Sequence, residues 1–189
     1  MGENPNTASD RDLLEQIHAG RHDAYQQICD RYWAAIHRYA ASYLHDDARA
    51  EDVTQESFAK LSEPDTRPDG DVKPWLYKVA RNKCLDILRR WKRSPTHNRP
   101  IKTGFDIARQ TAGPRTRMAR DERRDLIRQI IADMPEDYRS VLMLKHFEGM
   151  SRAEMADVLE TTEIAVKGRL VRASEHLREE LRKVSGIDL

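Results

Sequence analysis

The sequence predicts an all-α protein made of two small helical domains joined by a flexible linker. Apolar residues recur at i, i+3 and i+4 through most of the chain, which is the spacing of one buried helix face. No stretch alternates with a period of two, so nothing indicates a strand. A basic stretch containing Pro and Gly separates two blocks of helical periodicity, and 189 residues are enough for two small domains.

Composition favours a soluble, helical protein. Hydrophobic residues make up 39% of the chain, charged residues 34% and aromatic residues only 6%, which predicts modest cores. The net charge of +1 does not by itself indicate a nucleic-acid partner. The charge is uneven, however: residues 92–120 carry eight Lys and Arg against one Asp, between two slightly acidic blocks.

The cysteines and the N-terminus predict a cytoplasmic protein. Cys29 and Cys84 lack the C-x-x-C spacing of a metal or redox site, so buried thiols in a reducing compartment are expected. The opening residues, MGENPNTASD, lack the apolar core of a signal peptide. No apolar run approaches the roughly 20 residues that a membrane helix needs.

The first block, residues 10–93, is predicted to form four helices after a disordered tail of residues 1–9. Gly20 is expected to end the first helix and Asp23 to cap the second, while the acidic pair in HDD (45–47) caps the third.

A surface loop rich in Pro and acidic residues, 62–73, separates the third helix from the fourth. Pro74 suits the first position of that fourth helix. Residues 94–120 then lose all periodicity and are predicted to be the linker.

The second block, residues 121–189, begins with a predicted helix over 121–133. Pro135 is expected to start the next helix and Gly149 to close it. Helical periodicity then resumes and continues to about Lys183.

Residues 151–170, SRAEMADVLETTEIAVKGRL, have the spacing of a helix-turn-helix. Ser151 and Glu154 form a capping box for the first helix, and the second is predicted to begin at Thr162. In such motifs the second helix enters the major groove with its N-terminal residues against the bases. Two short packed helices without DNA affinity would look similar, and Glu160 stands where a turn glycine is usual.

Two other helices carry opposite charges on their predicted outer faces. Glu51, Asp52, Gln55 and Glu56 cluster on the helix predicted over 48–61, which suits a basic protein surface. The helix predicted over 75–91 instead projects basic residues around three aromatic residues, which suits a nucleic-acid strand. Its outward set is Lys78, Arg81, Asn82, Lys83, Arg89 and Arg90, around Trp75, Tyr77 and Trp91. The alternatives are an ordinary solvated face for the first helix and core packing of the aromatics for the second.

No enzymatic constellation is present, so the protein is predicted not to be an enzyme and to need no cofactor or metal. The chain has no P-loop and no G-x-G-x-x-G motif. His18 and His22 lie four residues apart, but Gly20 falls between them and no third ligand is near.

Three stretches, in the right order and spacing, resemble the extracytoplasmic-function group of bacterial sigma factors. They are DDARAEDVTQESFAKL (46–61), KPWLYKVARNKCLDILRR (73–90) and MPEDYRSVLMLKHFEGMSRAEMADVLETTEIAVKGRLVRASEHLREEL (134–181). The resemblance extends from about residue 10 to residue 184. It implies a region-2 domain over 10–93 and a region-4 domain over 121–189, with core RNA polymerase and promoter DNA as partners.

The resemblance also implies a role for individual residues. Those matching the polymerase-docking face, which contacts the β′ clamp helices, are Glu51, Asp52, Gln55 and Glu56. Those implied at the −10 element are Asn82 and Asp86 on bases, and Lys78, Arg81, Arg89 and Arg90 on the strand. Those implied at the −35 element are Lys167, Gly168, Arg169, Val171 and Arg172. The loop 62–73 would capture a flipped base, and the basic linker would thread through the polymerase toward the RNA exit path. The β subunit of the polymerase is a further implied partner.

Such proteins direct initiation at stress- or signal-responsive promoters and are commonly held inactive by an anti-sigma factor. Two other hypotheses remain open from the sequence: an independent helix-turn-helix regulator, and a helical adaptor that sequesters partners through the acidic helix.

Overall fold

A computed structural model shows the fold of the chain. The residues that it describes are 8–63, 66, 68, 71–93 and 118–185, with the backbone alone described for 118–125 and 184–185. The chain divides into two compact units, Met1–Pro95 and Thr96–Leu189. All secondary structure in the described ranges is helical, which confirms the predicted all-α class.

The described part of the first unit forms four α-helices and a short 3₁₀ turn. The elements are α1 (Asp10–His18), α2 (His22–Leu44), α3 (Asp47–Ala59), the 3₁₀ turn Lys60–Ser62, and α4 (Val72–Arg93). The long α2 packs against α1, α3 and α4, and so forms the centre of the bundle. Fully buried side chains from all four helices and the turn make its core: Leu13, Ile28, Ile36, Tyr39, Tyr43, Phe58, Leu61, Leu76 and Tyr77.

The start of α1 corrects the predicted N-terminal tail. Ser9, assigned to the disordered tail, is the N-cap of α1, and it forms a capping box with Asp12. The backbone carbonyl of Ala8 accepts a hydrogen bond of 2.8 Å from Arg31 of α2, and the Asp10 carboxylate accepts another of 2.7 Å. Residues 8 and 9 therefore belong to the folded unit; the rest of the predicted tail lies outside the described residues.

Two helix starts differ from prediction. Arg21, and not Asp23, is the N-cap of α2; Asp23 lies in its first turn and pairs with Arg21 at 3.1 Å. Helix α4 begins at Val72, two residues before the predicted Pro74, which is buried in the first turn. Pro tolerates any position of a first turn because those backbone N–H groups have no intrahelical partner. By contrast, Asp46 caps α3 as predicted, accepting from the Arg49 amide at 3.2 Å.

Four more α-helices lie in the described residues of the second unit. They are α5 (Met118–Asp133), α6 (Glu136–Leu142) continued by a π-helical turn (Met143–Phe147), α7 (Arg152–Val158) and α8 (Glu163–Ser185). Helix α8 packs against α5, α6 and α7. The buried side chains at their meeting point include Ile131, Val141, Leu142, Leu144, Met155, Val158, Val166 and Ala173.

Several boundaries of the second unit were predicted and others were not. The capping box of Ser151 with Glu154 is present, and Gly149 has the left-handed φ of 65° expected after a helix end. The π-helical turn was not predicted. Helix α5 begins at Met118, so the last three residues of the predicted linker, 94–120, are helical; the preceding residues 94–117 lie outside the described residues.

Candidate functional site

The acidic face of α3 consists of Glu51, Asp52, Gln55 and Glu56. The opposite side of the helix is buried, because Val53 and Phe58 pack into the core. The buried hydroxyl of Thr54 donates to the Ala50 carbonyl at 2.7 Å, so it is satisfied within the helix. Asp52, Gln55 and Glu56 are exposed and Glu51 is half-buried. This arrangement presents carboxylates to a partner without disturbing the core.

Two basic side chains from neighbouring helices flank the acidic face. The His37 ring nitrogen Nε2, on α2, lies 3.8 Å from Glu51 Oε2 and 3.4 Å from Asp47 Oδ1. The Lys83 ammonium, on α4, pairs with the Glu56 carboxylate. The sequence analysis missed both contacts, because spacing along one helix does not reveal which residue of another helix lies opposite.

The basic face of α4 consists of Lys78, Arg81, Asn82, Asp86, Arg89 and Arg90. Its C-terminal half is open: Asp86, Arg89 and Arg90 are exposed, and Asp86 accepts a hydrogen bond of 3.0 Å from Arg89. Its N-terminal half is closer to the core, since Lys78, Arg81 and Asn82 are half-buried. All six predicted residues therefore lie on one helix. The three in its C-terminal half are exposed, and the three in its N-terminal half are half-buried.

Arg81 lies at the edge of the aromatic core and is less available than predicted. Its Nε atom is buried. Nearby, the hydroxyls of Tyr39 and Tyr43 are 3.1 Å apart and buried. Burial raises the pKa of Tyr39 well above its usual range, and the positive charge of Arg81 opposes that rise. The charge of Arg81 therefore acts on the buried Tyr39 as well as on the outer face of α4.

The aromatic residues of α4 do not behave alike. Tyr77, for which the sequence left both an outer and a core position open, is fully buried and meets Tyr39 edge to face at 5.0 Å between ring centroids. Trp75 is half-buried. Trp91 is also half-buried, and the Arg49 guanidinium stacks on its ring at 5.0 Å. Five residues of the loop 62–73, which was predicted to form a base pocket, lie outside the described residues: 64, 65, 67, 69 and 70.

The helix-turn-helix has the predicted two-helix geometry. Helix α7 ends at Val158, Glu160 adopts a left-handed backbone with a φ of 50°, and Thr162 caps α8. The Thr162 hydroxyl accepts from the Ala165 amide at 3.2 Å. The second helix therefore begins at Glu163, one residue after the predicted start.

The outer face of α8 carries the residues predicted for duplex DNA, with one exception. Lys167, Val171 and Arg172 are exposed and Gly168 leaves a gap between them. Arg169 is instead turned back toward α6, where its guanidinium lies 3.7 Å from the Asp137 carboxylate and is only 27% exposed. Arg169 therefore braces α8 against α6.

The described helices include none that is long and apolar enough to span a membrane. Within the described residues, Cys84 is buried and Cys29 half-buried, and neither forms a disulfide. His18, weighed above as a metal ligand, has its Nε2 at 3.1 Å from the Leu61 carbonyl, on the neighbouring 3₁₀ turn.

Two family models match the two units. The model for sigma-70 region 2 matches residues 28–94, and the model for sigma-70 region 4 matches residues 124–177. The first therefore contains the acidic and basic faces of unit one, and the second contains the helix-turn-helix.

Relatives match over nearly the whole chain. RNA polymerase sigma-H factor of Pseudomonas aeruginosa is 29% identical over 91% of this chain and 93% of its own length. ECF RNA polymerase sigma factor SigM of Mycobacterium tuberculosis is 30% identical over 89% of this chain and 83% of its own. This chain belongs to the extracytoplasmic-function group of the sigma-70 family, whose members are transcription initiation factors.

Solved structures share the fold. CnrH, solved in complex with the cytosolic domain of CnrY, is 25% identical with a TM-score of 0.67, covering 93% of this chain and 99% of that chain. RpoE of Bartonella quintana, solved with the anti-sigma factor NepR, is 20% identical with a TM-score of 0.61 over 84% of this chain and 96% of that chain.

Proposed function

We propose that three faces of this chain divide the work of a promoter-specificity subunit. The acidic face of α3 docks on core RNA polymerase, the basic face of α4 holds the −10 element, and α8 reads the −35 element. The observation that carries the proposal is the pair of oppositely charged faces on one four-helix unit. A DNA-binding regulator acting alone needs no acidic face, and an adaptor needs no basic one.

The acidic face suits the β′ clamp helices as its partner. Asp52 and Glu56 are exposed carboxylates one turn apart, and Gln55 is held beside Glu51 by a hydrogen bond of 3.1 Å. Carboxylates so placed attract Lys and Arg of a partner through charge-assisted hydrogen bonds. They would repel DNA phosphates, so this face is not assigned to nucleic acid.

The basic face of α4 suits the separated strand of the −10 element. Arg89 and Arg90 are exposed donors for phosphates, while the amide of Asn82 can pair with a base edge. The role of 62–73 as a pocket for a flipped base remains part of the proposal; extruding a base costs a few kcal/mol, which the pocket must offset.

Helix α8 suits the −35 element as a duplex. Lys167 and Arg172 flank the gap at Gly168, where the helix backbone can approach base edges closely. Since Arg169 is paired with Asp137, we assign it to holding α8 in place and the base contacts to Arg172 and Lys167. The basic linker is proposed to follow the polymerase interior past the β subunit.

Regulation completes the proposal. An anti-sigma factor is proposed to cover this chain until a signal releases it, by analogy with the solved relatives bound to partner proteins. The chain is proposed to act in the cytoplasm, to bind no cofactor or metal, and to have no catalytic activity of its own.

Run-off transcription with purified core polymerase tests the proposal against its two alternatives. Adding the chain should yield discrete transcripts from a fragment library of its own genome. A regulator acting alone would bind DNA without initiating transcription, and an adaptor would bind neither DNA nor core polymerase. Absence of any transcript, with core polymerase active on a control sigma factor, would refute it.

A further inference from the structure

Two large hydrophobic side chains are exposed in the described part of the chain, and both lie on α8. Ile164 is 85% exposed and Val171 is 54% exposed. Val171 belongs to the face already assigned to the −35 element, whereas Ile164 has been given no role. An isoleucine so exposed at the start of this helix gains nothing from the fold, because its surface stays in water.

Helical geometry places Ile164 in the middle of the DNA-reading face. Residues seven apart are about two turns apart, so Ile164 and Val171 point within about 20° of each other. Lys167 lies about 60° to one side of Ile164 and Gly168 about 40° to the other. The buried Val166 and Ala173 lie on the opposite side of the helix. A duplex that contacts Lys167 and Val171 must therefore also meet Ile164.

The helix surface between Ile164 and Val171 has a gap at Gly168. Gly168 has no side chain, and a Cβ placed there would meet nothing nearer than the Arg172 guanidinium, at 4.0 Å. Ile164 and Val171 thus stand as two separate apolar projections, with Lys167 and Arg172 beside them. Positive charge beside an apolar side chain suits binding in the major groove of DNA. Phosphates line the edges of that groove, and thymine methyl groups lie on its floor.

We propose that Ile164 is a specificity-determining residue, whose side chain packs against the 5-methyl group of one thymine in the −35 element. This inference rests on the proposed reading of −35 DNA by α8. Val171 lies about two turns further along α8 and packs against a different base pair. The acidic Glu163, about 100° away from Ile164 around the helix, lies at the margin of the contact.

Substituting deoxyuridine for thymine tests the contact, because it removes the methyl group and leaves base pairing intact. Holoenzyme reconstituted from core polymerase and the full chain is first used to select promoter duplexes from a random library. Each thymine of the selected −35 element is then replaced in turn by deoxyuridine, and the affinity is measured for the wild type, Ile164→Ala and Val171→Ala.

One replacement should weaken wild-type binding about three- to fivefold, the effect of one buried methyl group, and should have no effect on Ile164→Ala. Val171→Ala should keep that sensitivity, and replacements outside the −35 element should affect all three proteins equally. Because Ile164 is exposed, Ile164→Ala should keep the wild-type thermal unfolding curve.

Identical deoxyuridine profiles in the wild type and Ile164→Ala would overturn the inference. So would an equal loss of affinity for every duplex, which would assign Ile164 to the sugar-phosphate backbone, or a loss confined to binding of a protein partner. If the holoenzyme selects no duplex at all, the proposed function itself fails, an outcome separate from a flat profile on selected promoters.

Discussion

Glu160, in the turn between α7 and α8, adopts a backbone conformation that costs conformational free energy. Its φ of 50° lies in the left-handed region, where a side chain costs roughly 1–2 kcal/mol and glycine almost nothing. The sequence pattern had already marked this position as one where a turn glycine is usual, and the structure supplies the reason.

Glu160→Gly should raise the free energy of unfolding by about 1 kcal/mol, because the relief of backbone strain exceeds the extra freedom of glycine in the unfolded chain. Denaturant titration would measure it. Glu160→Gln is the matched control, since it removes the charge and keeps the strain; we expect a change near zero. An equal gain from both variants would attribute the effect to charge.

Alanine substitutions of two arginines on α8, three residues apart, should affect DNA binding in different ways. Arg172 is exposed, so Arg172→Ala should reduce discrimination at one −35 base pair by roughly 1–3 kcal/mol and leave stability unchanged. Arg169 pairs with Asp137, so Arg169→Ala should weaken binding to all −35 variants alike and lower stability slightly. Affinities for a panel of single-base promoter variants would separate them; a uniform loss in Arg172→Ala would reassign it to phosphate.

The contacts that the sequence could not predict share one physical cause. Helical spacing indicates which side chains share a face of their own helix, but it does not indicate what lies opposite. The sequence left open whether Tyr77 lies among the outward basic residues or in the core, and the structure buries it against Tyr39 of α2. Lys83 and Glu56 are 27 residues apart along the chain, so no local pattern predicts their pairing.

At the scale of the helix, boundaries were predictable where a side chain caps the backbone. Asp46, Ser151 with Glu154, and Gly149 were each predicted and observed in these roles. Prediction failed where the cap is weak or has no sequence signal, as at Arg21, which forms no side-chain cap bond. It also failed at the π-helical turn after α6, because tertiary packing and not local propensity decides such a distortion.

Gly168 should show a conflict between helix stability and DNA reading. A Cβ at this position meets no close neighbour in the free protein, so Gly168→Ala should stabilise the helix by about 0.5–1 kcal/mol. The same methyl group would fill the gap at which the backbone is proposed to approach the bases, so −35 binding should weaken roughly tenfold. Thermal unfolding and promoter affinity measure the two effects, with a scrambled −35 element as the control. A stabilised variant with unchanged affinity would remove Gly168 from the interface.

At the scale of the whole molecule, the proposed function uses two oppositely charged faces on the first unit and a third face on the second. The net charge of +1 conceals this arrangement, because acidic and basic faces cancel in the sum. The distribution along the chain revealed it only in part: it indicated the helices concerned, but not that Lys83 of α4 reaches the acidic face of α3.

Charge reversal on the acidic face should weaken docking without unfolding the first unit. Asp52→Lys places a cation where β′ cations are proposed to bind, so affinity for core polymerase should fall at least tenfold. Glu15→Lys makes the same change of charge at an exposed site of a different helix, α1, and should bind normally. Binding measured without DNA isolates docking, and it should weaken as salt rises.

The pairing of Glu56 with Lys83 allows docking to be separated from stability. Glu56→Lys alone loses the pair and places two ammonium groups together, so a modest loss of stability, up to about 1 kcal/mol, is expected. The exchange Glu56→Lys with Lys83→Glu restores an opposite-charge pair between α3 and α4, and should recover that stability. It still carries a cation on the acidic face, so docking on core polymerase should remain weak. Recovery of docking together with stability would mean that Glu56 serves the fold and that the polymerase binds elsewhere.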